Sequence, residues 1–272
     1  MLISLVTCLA LTLAAAADDS AAALFQEAET LAKSNRKAEA LAKLEVLTAE
    51  LERAGTAGAR LPRAGLDGLR LAAKLAREDF LDYEKSLLYC DTLFRLADTD
   101  NWRVPARLER ALTYRARGDF AKAQAEYEAV AAADPRFRVN GLLPHAEMIY
   151  FDLRDPQRGR PLLVEALGNA AINGRERFAM LRKCAAHSLA HGYRDEALQW
   201  YAMLEGLPFD KPDERARFLT QAWYEMGQIE EGRGRVDKAK DLYRRALELT
   251  DGEMRFRARA RDALENIQYF ED

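Results

Sequence analysis

Apolar and polar positions alternate along this chain at a helical period. Stretches of about 12–16 residues carry apolar residues at i, i+3, i+4 and i+7, and turn signals separate them, the spacing expected of short antiparallel helices. Asp18, Asp19 and Ser20 supply a helix start, and the apolar positions of AALFQEAETLAK follow at helical intervals. Asn35 ends that helix, and a second is predicted from about Ala38 to Leu51. The segment Gly55 to Gly68 holds glycines and a proline and predicts the longest internal loop. Further breaks are predicted at Pro105, Gly118, Asp134-Pro135, Gly141, Asp155-Pro156, Gly174, Gly192, Gly206 and Gly234. Past Gly252 a last amphipathic helix should turn Met254, Ala260, Leu264 and Ile267 inward.

Some of these hairpins share a motif. Residues 222 to 247 carry Trp223, Met226 and Gly227 on the first helix, then Ala239, Tyr243 and Ala246 on the second. Residues 107 to 135 carry Ala111 and Tyr114, the turn Gly118-Asp119-Phe120, then Ala123, Tyr127 and Pro135. A third copy runs Leu181, Cys184, Ala185, Gly192, Ala197, Tyr201 and Leu204, and a weaker one Leu24, Ala28, Leu31, Ala40, Leu44 and Leu47. Two degenerate copies fit around Ser86-x3-Cys90 and Gly159-x3-Leu163.

This pattern resembles the tetratricopeptide repeat, with Trp, Leu and Gly on one helix and Ala-x3-aromatic on the next. Glu230 and Met226 stand where the family usually has Tyr and Leu, and Arg107 stands at the head of the 107–135 copy. The small residues heading the second helices lie at 40, 86, 123, 159, 197 and 239. Their spacing, roughly 36–46 residues against a family period of about 34, implies modest loop insertions. The resemblance implies an all-α fold over 18–272: a right-handed superhelix (solenoid) of about six helical hairpins with a C-terminal capping helix. Its clearest repeats span about 104–137, 178–206 and 220–250. A small residue lets two helix backbones approach, and the aromatic one turn later fills the space beside it. One hairpin cannot bury both sides, so neighbours must stack.

Composition agrees with a helical fold. Hydrophobic residues make up 49% of the 272 residues, enough for a buried core. Lys and Arg number 41 against 44 Asp and Glu, mixed along the chain, for a net charge of −3. Nucleic-acid binding needs a basic stripe, and no such stripe is expected to form here.

The first residues point to export. An apolar run from Leu2 to Leu13 precedes Ala15-x-Ala17, the small–x–small pattern of a signal-peptide cleavage site. Residues 1–17 are therefore expected to be a signal peptide cut after Ala17, giving a periplasmic or secreted protein with no membrane span afterwards. The run is shorter than the roughly 20 residues of a spanning helix, although a retained anchor is the alternative. No Lys or Arg precedes the run, and Cys8 follows Thr7 in mid-run, which argues against a lipoprotein. Cys90 and Cys184 remain, both expected on buried apolar faces.

Candidate chemistry is sparse. Cys184, His187 and His191 fall at i, i+3 and i+7 and could resemble a zinc set, but a structural site needs a fourth ligand. Cys184 is expected in the helix packing and His191 at a helix end, so neither metal nor cofactor is expected. The chain has no HExxH, G-x-S-x-G or G-x4-G-K-[ST].

The expected function is a non-catalytic adaptor that binds a peptide or helical segment of a partner protein in the cell envelope. The resemblance implies that first helices line a concave binding face, with Leu108, Leu112, His145, Met148, Arg182, Lys183, Tyr224 and Gln228 as candidates. The family's carboxylate-gripping Asn positions hold Glu29, Leu112, Ala186 and Gln228, so that mode is not carried over. An enzyme on an α/α scaffold acting on cell-wall glycan, and a self-assembling homo-oligomer, are the alternatives.

Overall fold

A computed structural model describes residues 19–56, 62–206, 209, 211–249 and 251–271. The expected signal peptide and its cleavage site lie outside them. Among the described residues every regular element is helical. In order they are α1 (19–33), α2 (Lys37–Thr56), α3 (Arg63–Glu78), α4 (Tyr83–Leu96), α5 (Asp100–Arg117), α6 (Phe120–Ala133), α7 (Arg138–Glu147), α8 (Pro156–Leu167), α9 (Gly174–Ala190), α10 (Arg194–Gly206), α11 (Pro212–Glu231), α12 (Val236–Glu248) and α13 (Met254–Glu271). A 3-10 turn (Pro135–Phe137) precedes α7, and a π turn (Met148–Asp152) follows it.

Helices are paired in sequence order, and the turns between them follow local chemistry. Asn35, at φ 62°, turns α1 into α2. Gly118 (φ 87°), Gly192 (φ 79°) and Gly234 (φ 73°) make the α5–α6, α9–α10 and α11–α12 turns in the left-handed region, where glycine is unstrained. Asp82 caps α4 by accepting from the Lys85 amide, and Asn173 with Glu176 forms a capping box on α9.

Other expected breaks are continuous helix. Gly65 and Gly68 belong to α3 and not to a loop, while residues 57–61 of that expected loop lie outside the described residues. A Cβ on Gly68 would come 2.5 Å from Leu47 Cδ2, and one on Gly65 would press on Leu51. Both glycines are there so that α3 can lie close on α2, a contact-driven choice that looks like loop composition in one dimension. Pro105 lies within α5, and Gly141 lies within α7. A Cβ on Gly141 would meet the backbone of α6 at Tyr127 O (2.5 Å) and Ala131 N (2.6 Å).

The chain divides into two compact units, Met1–Leu163 and Val164–Asp272. Within the first, α2 to α7 each pack on the next, and α3 also touches α5. Within the second, α9 to α13 do the same, with α9 also on α11 and α11 on α13. Contact of first helices with their own partners and, for α3 with α5 and α9 with α11, with the next first helix is the packing of a helical solenoid.

The motif positions fill these cores. Ala40, Ser86, Ala123, Gly159, Ala197 and Ala239 are all buried, as are Leu44, Cys90, Tyr127, Leu163, Tyr201 and Tyr243 four residues on. On the first helices Ala28, Ala111, Ala185 and Gly227 are buried too. Cys90 and Cys184 are buried thiols with no disulfide, and burial pushes the Cys90 thiol up to about 12. In α13 the inward face is corrected: Ala260, Ile267 and Phe256 are buried, whereas Met254 is 81% exposed. Phe256 takes that place by packing on Tyr224, ring centroids 5.6 Å apart.

The first unit also holds a polar core that apolar periodicity does not reveal. Arg77 of α3 donates to Glu109 Oε2 of α5 at 2.9 Å, with both residues buried. Ser86 of α4 donates to the Ala73 carbonyl and lies 2.8 Å from Thr113 of α5, so three helices share one network. Burial works against the Arg77 charge, but Glu109 and Glu78 outweigh it and raise its pKa. In the second unit, buried Arg177 donates to the Leu167 and Asn169 carbonyls and satisfies the end of α8.

Candidate partner-binding surface

Two open clefts lie on first helices, one in each unit. In the second unit a cleft of about 420 Å³ runs between α9 and α11. Ala186, Leu189 and Ile229 form its apolar wall, and Glu225, Gln228 and Arg194 its polar edge. Arg194 donates to the Gly232 carbonyl at 3.0 Å and so closes the end of α11. Tyr201 donates to Glu225, and burial together with that carboxylate raises the Tyr201 pKa, keeping the phenol protonated. Leu189 is 38% exposed on α9, which makes it an available apolar anchor.

The first-unit cleft, about 520 Å³, lies on α3 and α5. Leu112, Ala116 and Phe120 give it an apolar patch, flanked by Arg77, Glu78, Arg115 and Asp152. Arg115 is tied to Asp152 and lies 3.8 Å from Glu147, so its charge is held in place.

The eight expected contact residues divide sharply. Gln228 lines the second-unit cleft and Leu112 the first-unit cleft. Arg182 and Lys183 are exposed on α9, and Leu108 is half-buried against a core of Ala111, Ala123, Tyr127 and Met148. His145, Met148 and Tyr224 are corrected: they are 7%, 0% and 9% exposed, buried in helix packing. Met148 is 0% exposed because it packs into the core of Ala111, Ala123 and Tyr127 on α5 and α6. His145 stacks on Tyr127 at 6.2 Å, and burial lowers its pKa, with Glu128 opposing. Tyr224 lies between Tyr243 and Phe256, because α13 covers it.

Leu189, Arg194 and Glu225 were not among the expected residues. For Leu189 a signal is in the sequence: Arg182, Ala186 and Leu189 recur at i, i+4 and i+7 on one face of α9. At Cys184–His187–His191, the thiol is buried and His191 Nδ1 sits 2.8 Å from the His187 carbonyl at the end of α9. Among the described residues no group of three or more His, Cys, Asp or Glu is arranged to hold a metal ion. No described helix is long and apolar enough to cross a membrane.

Gly227 faces the Tyr243 ring across the α11–α12 pair, while Ala239 and Ala246 are buried. No curated protein matches the chain in sequence. The family model of the tetratricopeptide repeat matches residues 220–252, the α11–α12 hairpin and the turn after it. The chain carries a tetratricopeptide repeat in that hairpin.

Proposed function

We propose that this chain is an exported, non-catalytic adaptor that holds a peptide or helical segment of another protein against its first-helix face. Tetratricopeptide repeats generally mediate contacts between proteins, and 220–252 is such a repeat. The observation that carries the reading is the α9–α11 cleft. There an exposed Leu189 and a largely buried Ile229 sit beside Gln228, Glu225 and Arg194, an apolar anchor site with a polar rim. A helix laying i and i+4 apolar residues into such a groove would leave its polar side to the rim. The apolar run Leu2–Leu13 and the Ala15-x-Ala17 site support placement in the periplasm or outside the cell.

Photo-crosslinking residues placed at 189 and 228 test the surface, with Val46, exposed on α2, as the control position. A discrete partner captured at 189 and 228 but not at 46 is expected. Equal capture at all three positions would refute the assignment. Export is tested separately, by fractionation and N-terminal sequencing of the mature chain, with Asp18 expected first.

A further inference from the structure

The second unit also carries a cleft on its second helices, away from the surface just described. It has a volume of about 670 Å³ and lies between α10 and α12 over α11. Its floor is apolar: Leu198, Ala202, Met226 and Leu242. Carboxylates dominate its rim. Asp195 is paired to Arg233, and Glu230 to Arg233 and Arg235, which leaves Asp237 and Asp241 as exposed charges beside Lys238. A groove of this kind fits an apolar knob flanked by cations.

The same chain presents such a knob. The first half of α13 reads MRFRARAR, with no acidic residue in its first turn. Placing arginines at the positive end of a helix opposes the macrodipole, so local helix stability does not account for them. Met254 is 81% exposed, and Arg255, Ala258, Arg259 and Arg261 share the outer side of the helix. Arg255 and Arg259 both lean over the Phe256 ring, at 4.7 and 5.7 Å, and Arg255 lies 3.8 Å from Glu253 in an exposed pair that solvent screens. Groove and knob thus carry opposite charge around matching apolar centres.

We propose that two copies of this chain pair about a two-fold axis, each seating the outer face of α13 in the α10–α12 groove of the other. Met254 enters the apolar floor, and Arg255 and Arg259 face Asp237 and Asp241. A two-fold interface is self-complementary, so one acidic patch and one basic patch per copy form two equivalent contacts. This pairing does not depend on the adaptor reading, because it uses the second helices and α13 and leaves the α9–α11 cleft open.

Light scattering coupled to size exclusion, at low salt, reads the outcome directly. The chain should run at twice its single-chain mass, which is 30.7 kDa with residues 1–17 retained, and added salt should shift it toward single chains because the rim charges are screened. Asp237→Lys with Asp241→Lys should halve the mass, as should Arg255→Glu with Arg259→Glu. Mixing the two variants in equal amounts should restore the double mass, since each groove then meets an α13 of opposite sign. Met254→Asp, at a position with no packing role, should also give single chains, and it decides the matter if a charge variant loses helicity by circular dichroism. A wild-type chain that runs at the single mass would overturn the proposal. So would a pair that survives Met254→Asp, or folded charge variants that fail to recombine.

Discussion

Gly227 and Tyr243 are bound together across the α11–α12 pair: a Cβ on the glycine would lie 2.7 Å from the tyrosine Cδ1. The ring cannot move aside freely, because its hydroxyl donates to Glu231 Oε2 at 2.7 Å, one turn further along α11. That is the physical content of the family's small-residue and aromatic positions. Gly227→Ala should lower stability by about 1–3 kcal/mol through overpacking, outweighing the roughly 1 kcal/mol that alanine gains over glycine within a helix. Combining it with Tyr243→Leu should cost less than the sum of the two single changes, as read from chemical denaturation.

The glycines separate into two classes. Gly141→Ala puts a methyl group against the α6 backbone, which has no rotamer to yield, and should be the more damaging change, by more than about 2 kcal/mol. Gly192→Ala meets nothing within 4 Å and is opposed only by its positive φ, so its loss should be about 1 kcal/mol. Denaturation midpoints of the two variants, measured side by side, check the order.

Arg77 and Glu109 form a buried ion pair inside the α3–α4–α5 network. Glu109→Ala should destabilise the chain by about 3 kcal/mol, since it leaves a buried guanidinium with Glu78 as its remaining carboxylate partner. Replacing both, as Arg77→Met with Glu109→Leu, should recover most of that loss, because no charge is then left without a partner. Thermal melts of the single and double variants test this.

His145 gives stability a pH dependence of known sign. Burial lowers its pKa below the ordinary 6.5, so the folded state binds the proton less readily than the unfolded chain. Its contribution is therefore fully present above pH 6.5 and is lost as pH falls below that value toward the lowered pKa. Melting temperature should drop on mild acidification, before the carboxylates titrate near about pH 4. His145→Phe keeps an aromatic ring against Tyr127 and should flatten that part of the profile.

Much of the fold is legible in one dimension. The six small residues that head second helices, and the residue four positions after each, are buried throughout, including the copies around Ser86 and Gly159. A hidden helix face imposes its period on the sequence, and a close crossing imposes small size. The candidate site is less legible. Leu112 and Gln228 line clefts, but Met148 and Tyr224 are interior, because α5 and α6 cover the one and α13 the other.

By itself the sequence determined that this chain is helical, where its hairpins turn at Asn35, Gly118, Gly192 and Gly234, and which positions fill the repeat core. Each of those features is set by contacts within a hairpin, so spacing alone records it. Only the tertiary structure decided that Gly65, Gly68 and Gly141 are points of helix contact, that Arg77 meets Glu109, and that Leu189 and Met254 stand exposed. Those outcomes depend on which helix lies opposite, and a helix carries its own period but no record of its neighbour's.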